Sequence, residues 1–461
     1  MRSNGFYMRG SAYWIALMLC VRLCAQEQPG LSAIIERLDA LEKQNRALTE
    51  EIQALRRQLA VAQGAPVVAP TPPVDERLQV QERRTEELAQ TKVQASRRLP
   101  LSITGMLLFN AYMNTRFSGA QEFPTVASSN AVPRTAGATA RQTVLGLLFE
   151  SPATVLGAKV NGSLYMDFFA NPVSTFASER AISNNLSRLM RLRIATVELD
   201  WGSTRLLVGQ DKPIVSPREP NSLTHVGVSP LTSAGNPWLW QPQARLEHEF
   251  RLTESTDIRA QVGVFQTAES GAIVPEAFAS TLESSRPGFE TRIAFRRVFS
   301  NDRHLEIAPG LHLSTTHVAA TSVPSRLYSV DWSLAPFPKI DFSGMLFAGQ
   351  NTANLGTLRQ GFTILGLRQV VPIHSIGGWG QISYAATPRL TFNVYGGQHD
   401  DRNRDLRGRG IGKNFIYSAN TFYRIGPNVI LALEVMQIRT TYLETGTRLN
   451  NHYDLALAYQ F

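Results

Sequence analysis

After residue 100 the sequence alternates apolar and polar residues over short segments, and this period of two constrains the fold more than any other feature. In residues 156–168, six apolar residues alternate with five polar or charged ones. Successive side chains of a β-strand point to opposite faces, so each segment has one apolar and one polar face. The pattern predicts an all-β domain whose two faces meet different surroundings.

Sixteen such segments follow one another, and the connections between them alternate in length, with seven short turns and eight long loops. An even number of antiparallel strands with short turns on one side and long loops on the other is typical of transmembrane β-barrels. The predicted strands are 101–115, 142–150, 156–169, 190–200, 203–210, 242–252, 258–266, 288–298, 304–314, 327–335, 340–349, 378–386, 389–397, 414–424, 429–439 and 451–461.

A closed cylinder accounts for both faces, because lipid covers the apolar face, water covers the polar face, and no strand edge is left unpaired. The alternative is a soluble β-sandwich or propeller, in which the second face would have to be buried. Charges recur on the polar face of strand after strand, which favours the barrel. We therefore predict an all-β transmembrane barrel of sixteen antiparallel strands over residues 100–461, preceded by an α-helical coiled coil.

The N-terminus has the features of an export signal. Arg2 and Arg9 precede a short apolar run over residues 11–21, and we expect cleavage after Ala25, which defines a signal peptide over residues 1–25. An uncleaved anchor is the alternative. Both cysteines of the chain lie in this segment, so the mature protein has no disulfide.

Residues 26–63 contain a heptad repeat and are predicted to form a periplasmic coiled coil. One core position is polar: Asn45, which fixes the register of the helices because a misaligned Asn would face an apolar layer. Ile35 widens the apolar stripe and favours a trimer over a dimer. The a positions are Leu31, Leu38, Asn45, Ile52 and Leu59, and the d positions are Ile34, Leu41, Leu48, Leu55 and Ala62.

Two further segments separate the coiled coil from the barrel. Residues 64–74 are rich in proline and are predicted to form a stiff linker. Residues 75–99 are predicted to form a second, mostly polar helix, which either continues the stalk or acts as a tether.

Basic residues concentrate on the polar faces of the third to eighth predicted strands, whereas acidic residues mark the later strands. We expect the basic side chains to line a pore and the acidic ones to form an opposing wall, so that the field between them favours small anions such as dicarboxylates. The alternative is a general pore in which the arginines pair with Glu247, Glu249 and Glu290. The predicted pore-lining residues are Lys159, Arg193, Arg205, Arg245, Arg251, Arg259, Arg292 and Arg296, opposed by Glu306, Asp331 and Asp341.

Two features resemble known families. The last strand ends in aromatic-x-Phe, and Phe461 resembles the signal by which the insertion machinery of bacterial outer membranes receives its barrels. The overall layout, with the stretches Leu206 to Pro213 and Gly235 to Phe250, is similar to the trimeric DcaP-like outer-membrane porins; phosphate-selective porins are a neighbouring possibility. This resemblance implies a homotrimer that takes up small anionic solutes.

The resemblance also implies that the third external loop, residues 211–241, folds into the lumen and brings Lys212 and Arg218 to the constriction. The alternative is that this loop faces outward, since the loop over residues 350–377 is nearly as long and as apolar.

The predicted function is passive diffusion of small hydrophilic solutes through an outer-membrane porin, without a cofactor, a metal or an enzymatic activity. Expected partners are outer-membrane lipid and lipopolysaccharide, the barrel-insertion machinery and small anions, but not nucleic acid, because the net charge of +9 is not clustered in any binding module. Two alternatives stay open: a structural anchor whose coiled coil tethers the cell wall, and an outer-membrane hydrolase.

Overall fold

The computed structural model describes residues 100–170, 189–269, 274–300, 303–358 and 360–461. These residues form nineteen strands and three short helical turns. The strands are β1 (Leu101–Asn114), β2 (Thr135–Thr139), β3 (Val144–Val155), β4 (Ala158–Ala170), β5 (Leu189–Asp200), β6 (Thr204–Asp211), β7 (Gln241–Thr253), β8 (Thr256–Gln266), β9 (Pro287–Ser300), β10 (Arg303–Val318), β11 (Thr321–Phe337), β12 (Ile340–Gln350), β13 (Phe362–Gly366), β14 (Gln369–Pro372), β15 (His374–Ala385), β16 (Leu390–Asp401), β17 (Ile411–Arg424), β18 (Val429–Tyr442) and β19 (Gly446–Gln460). The helical turns are α1 (Glu276–Ala279), a 3-10 turn (Ala353–Leu355) and α2 (Asn403–Leu406).

One antiparallel sheet of seventeen strands closes on itself through the pairing of β1 with β19. β2 pairs with the second half of β1, and β3 pairs with its first half. These two strands therefore occupy a single position, and the barrel has sixteen positions around its wall. The remaining two strands, β13 and β14, form a separate hairpin in the loop between β12 and β15. The predicted sixteen-stranded barrel is confirmed, and the sandwich and propeller alternatives are wrong, because a single closed sheet has no second layer.

Apolar side chains cover the outside of the wall, and the side chains on its inside are buried and include most of the polar ones as well as one apolar cluster. In β19 the outward residues Tyr453, Leu455 and Leu457 are 37–45% exposed, whereas the inward His452 and Asp454 are at most 4% exposed. The same alternation recurs along the other strands. The exterior is thus suited to hydrocarbon, and the polar interior depends on water or on hydrogen bonds within the protein.

Two connections that the sequence predicted to be long loops are tight turns. β10 and β11 continue to a two-residue turn at Ala319 and Ala320, and β18 and β19 meet across residues 443–445. Both hairpins extend the barrel wall on its long-loop side. Where the other predicted long loops are described, β2 is the one complete barrel strand within them, and β15, β16 and β17 extend into their ends.

The expectations for residues 1–99 lie outside the described residues: the signal peptide, the coiled coil with Asn45, the linker and the second helix. They stay predictions. Within the described ranges, no helix has the length and hydropathy that crossing a membrane requires.

Candidate functional site: the barrel interior and its inner loop

The connection between β6 and β7, residues 212–240, lies inside the barrel, and we name it the inner loop. Gly235 shows how closely it approaches the wall. Its φ is +99°, and a Cβ built there would lie 2.1 Å from the carbonyl oxygen of Gly378 on β15. Only glycine combines this backbone conformation with such a close approach. The inner loop therefore lies directly against the inner surface of the sheet, as the resemblance to the DcaP-like porins implied for residues 211–241.

Apolar packing joins the inner loop to one half of the wall. Val215, Leu231 and Ala234 of the loop belong to one buried cluster with side chains from β11, β12 and β15 to β18. We name this half the packed wall. The cluster members from the wall are Leu327, Met345, Phe347, Trp379, Tyr395, Ile416, Met436 and Ile438.

Hydrogen bonds fix the loop backbone at several further points. The carboxylate of Glu290 on β9 accepts the N–H of Ile214 over 2.6 Å and contacts the His312 ring at 2.9 Å. The Gln142 side chain donates to the carbonyl of Thr224 and accepts the N–H of Gly227. Since loop backbone groups inside a barrel cannot all reach water, these side chains satisfy donors and acceptors that would otherwise be left unpaired.

Glu434 on β18 anchors the tip of the inner loop. Its carboxylate is 1% exposed, accepts the Ser222 hydroxyl over 2.7 Å and lies 3.3 Å from the ring of His225. Tyr395 and Asn420 donate to the same carboxylate. Ser222 is thus bonded to the carboxylate, not to the imidazole, so this group does not have the nucleophile–base arrangement of a serine hydrolase.

The inward faces of β4 to β9 differ from the packed wall because they are charged, and we name them the charged wall. The predicted residues on these strands all lie on this inward face: Lys159, Arg193, Arg205, Arg245, Arg251, Arg259, Arg292 and Arg296. The seven arginines of this set are all ion-paired with neighbouring carboxylates. Arg245 contacts Asp211 and Glu247, and Arg259 contacts Glu249 at 3.7 Å.

The predicted opposing acidic wall is wrong for Glu306 and Asp331. These residues lie on β10 and β11, directly beside β9, and both contact Arg292 at 2.7 Å. Arg218 of the inner loop joins the same cluster through Asp331 at 3.1 Å. Two cations and two anions thus neutralise one another within one cluster. Asp341 lies on β12, 3.8 Å from His304 on β10, and its place in an opposing acidic wall stays a prediction.

Lys212, at the start of the inner loop, pairs with Glu219 over 2.6 Å, and Ser229 donates a second hydrogen bond to that carboxylate. Burial alone raises the pKa of Glu219. The charge of Lys212, together with the hydrogen bonds from Lys212 and Ser229, outweighs burial and holds the pKa below its ordinary value of 4.5. Both loop residues predicted for the constriction, Lys212 and Arg218, therefore lie inside the barrel as parts of ion pairs.

Solvent reaches the charged wall mainly at its short-turn end. Arg205, Arg251 and Arg296 are 40, 78 and 42% exposed, whereas their carboxylate partners Asp200, Glu249 and Asp257 are 22, 28 and 12% exposed. Lys159 on the neighbouring β4 is exposed as well. We name these four basic residues the basic mouth. Its cations extend into water while its anions lie against the wall.

Several interior residues were not among those expected from the sequence. Arg191 on β5 forms an ion pair with Asp167 at 2.6 Å and lies over the ring of Trp240, as does Arg193. The two arginines are two positions apart, a spacing that places both on one face of a strand, so this signal was present. The anchors Glu290 and Glu434 had no local signal, because their partners in the inner loop lie 76 and 212 residues away.

Phe461, the predicted insertion signal, lies at the closure of the barrel. Its backbone exchanges two hydrogen bonds with Gly105 of β1, at 3.0 and 3.1 Å. Its role in insertion stays a prediction. Among the described residues, no group of His, Cys, Asp and Glu side chains is arranged to hold a metal ion.

Solved structures share this architecture. The outer-membrane channel DcaP of Acinetobacter baumannii superposes with a TM-score of 0.63 and 16% identity, covering 78% of this chain and 97% of that one. An anion-selective porin from Comamonas acidovorans superposes with a TM-score of 0.51 and 11% identity, covering 78% and 99%. No protein-family model and no curated protein sequence matches the chain.

These likenesses establish the class of fold: a sixteen-stranded barrel of the kind found in outer-membrane channels. Within that class, the DcaP channel is the similar structure with the higher TM-score of the two, in agreement with the resemblance seen in the sequence.

Proposed function

We propose that this chain is an outer-membrane porin of the DcaP-like kind, through which small hydrophilic solutes diffuse passively. The observation that carries the proposal is the inner loop, which packs against one half of a closed sixteen-stranded barrel and leaves a charged, partly hydrated wall on the other half. A barrel of this size is too wide for its own side chains to fill, so an inward loop is what narrows it.

The finer proposal is a modest preference for small anions such as dicarboxylates. The central arginines support it weakly, because Arg292 and Arg245 are neutralised by neighbouring carboxylates. The basic mouth supports it better, because its guanidinium groups are more exposed than the carboxylates beside them. An anion at this entrance therefore meets cationic groups first. The similar Comamonas protein is described as anion-selective.

The partners and the assembly follow as further proposals. An apolar exterior supports a position in the outer-membrane bilayer, with the short turns and both chain ends of the barrel domain on the periplasmic side. The predicted coiled coil over residues 26–63 would then lie in the periplasm and support a homotrimer, with Asn45 fixing its register.

Planar-bilayer recording of the purified full-length protein tests the proposal. We expect discrete conductance steps in symmetric salt. In a salt gradient we expect a reversal potential of the sign that marks anion preference, and added dicarboxylate should reduce the chloride current. An absence of conductance steps contradicts the porin function itself, whereas steps with cation selectivity contradict only the anion preference.

A further inference from the structure

A groove runs along the outer face of β11, β12, β15 and β16, and nothing in the pore function requires it. Its two connected parts have volumes of about 490 and 670 Å³ and share Tyr328, Ala348 and Ile376. Tyr328 and Ile376 are each 60% exposed, while the alternate residues, such as Leu327, are buried inside. The groove is therefore on the exterior of the barrel, separate from the lumen.

Strand register divides the groove into rows. The row nearest the long loops is polar. It consists of Arg326, Gln350 and His374 on β11, β12 and β15, and of Arg402 directly after the end of β16. The next row is mostly apolar, with Tyr328 beside Ala348 and Ile376. Further from the long loops, Val330 pairs with Leu346, and Leu346 pairs with Gly378. The small side chains at Ala348 and Gly378 leave room between larger apolar neighbours, which creates a trough below a basic rim.

The acids near the rim are already occupied. Asp400 pairs with Lys413 at 2.8 Å, and Asp405 pairs with His374 at 2.9 Å. Within the described ranges, neither Arg326 nor Arg402 forms an ion pair with a side chain, although Asp405 lies within the electrostatic reach of Arg402. Both arginines are exposed. Guanidinium groups bind phosphate through two parallel hydrogen bonds, so two of them without ion pairs at one rim favour an anionic phosphate group.

We propose that this groove binds a membrane lipid whose headgroup carries a net negative phosphate, with the phosphate at Arg326 and Arg402 and an acyl chain along Tyr328, Ala348 and Ile376. The basic rim selects the occupant. The apolar trough binds the acyl chains of different lipids with similar free energy, because lipid tails are as apolar as the side chains of the trough. Preference among lipids must therefore come from the rim. The inference rests on the barrel standing in a bilayer, as the proposed function requires.

Lipid retention measured by native mass spectrometry tests this site. The full-length protein in detergent is titrated with phosphatidylglycerol and, separately, with phosphatidylcholine of the same chain composition. We expect phosphatidylglycerol to be retained on the order of tenfold more tightly. The rim can form charge-assisted hydrogen bonds to the phosphate of either lipid, but in phosphatidylcholine the choline cation competes with the rim for that phosphate.

Three variants locate the effect. Arg326→Gln with Arg402→Gln should abolish the preference for phosphatidylglycerol, and Ala348→Phe should weaken the retention of both lipids by filling the trough. The matched control is Arg297→Gln with Arg303→Gln, which removes two exposed arginines near the short turns and should leave the preference unchanged.

The proposal is overturned by an unchanged preference in the rim variant, by an equal loss in the control, or by displacement of the lipid with an equal concentration of inorganic phosphate. Retention of a second protein chain instead of lipid also overturns it. Conductance of the same samples separates this result from failure of the porin function.

Discussion

Ser222, at the tip of the inner loop, donates a 2.7 Å hydrogen bond to Glu434, a carboxylate that lies 212 residues further along the chain and is 1% exposed. This contact ties the loop that narrows the barrel to the opposite end of the sequence. A buried carboxylate holds its charge only while its hydrogen-bond donors stay in place, so the position of the loop and the ionisation of Glu434 depend on each other.

Ser222→Ala removes one of these donors and should lower the free energy of unfolding by about 1–3 kcal/mol, since a hydrogen bond to a buried charged group is lost. Thermal unfolding in detergent measures this change, and single-channel noise should increase as the loop tip loosens. Ser151→Ala is the control, because Ser151 lies near the short-turn end of β3 and its hydroxyl accepts an exposed hydrogen bond from the N–H of Ala153. Equal stability of both variants would contradict the anchoring role.

Gly235→Ala tests the close approach of the inner loop to β15. The substitution places a Cβ at 2.1 Å from the carbonyl oxygen of Gly378, in a backbone conformation with φ at +99°. Gly202→Ala is a matched control, because Gly202 has a φ of +89° and no atom within 4 Å of its built Cβ. Both variants carry the strain of a positive φ, about 1 kcal/mol. Gly235→Ala should therefore be the less stable of the two in thermal unfolding, and equal melting temperatures would show that the loop yields freely.

Arg292 and Arg296 are four residues apart on β9 but should respond very differently to replacement by Met. Arg292 is 3% exposed and holds Glu306 and Asp331. Without Arg292, the two carboxylates have Arg218 as their one cationic partner in this cluster. We therefore expect the free energy of unfolding to fall by about 3–5 kcal/mol. Arg296→Met should lower the free energy of unfolding by about 1 kcal/mol or less, because its contact with Asp257 is 3.6 Å long and the Arg296 side chain is 42% exposed. Denaturant titrations compare the two variants, and similar losses would contradict the structural role of the Arg292 cluster.

The sequence predicted the barrel because the period-two pattern is local. The ends of two hairpins were not predicted, because they depend on backbone geometry for which their residues give no signal. Ala319 and Ala320 turn between β10 and β11 with φ values of 50° and 56°. Hairpin turns of this kind usually carry Asn or Gly, so two alanines gave no turn signal. Likewise, strand faces identified the interior arginines, but which carboxylate each one meets depends on register. Asp331, which pairs with Arg292, is 39 residues away.

Acidification should loosen the start of the inner loop. The pKa of Glu219 lies below its ordinary value of 4.5 in the folded protein. A carboxyl group with a lowered pKa stabilises the fold above its unfolded pKa, and this contribution disappears as the pH falls through the folded pKa. Melting temperatures measured between about pH 3 and 6 should therefore fall less steeply in Glu219→Gln than in the unmodified protein. Parallel pH profiles would show that Glu219 is not responsible.

The basic mouth should determine ion selectivity more than the central arginines do. Replacing Arg205 and Arg296 by Gln removes two cations that are 40 and 42% exposed, while their partners Asp200 and Asp257 remain. The entrance then changes from basic to acidic. The reversal potential in a salt gradient should therefore lose at least about half its anion-selective value. This loss should be larger at low ionic strength, because salt screens exposed charges. Replacing Arg297 and Arg303 on the exterior removes the same charge from outside the lumen and should leave selectivity unchanged. An equal shift of the reversal potential in the exterior variant and in the basic-mouth variant would show that the shift reflects the general surface charge. Any anion preference would then have to come from the central ion pairs and not from the basic mouth.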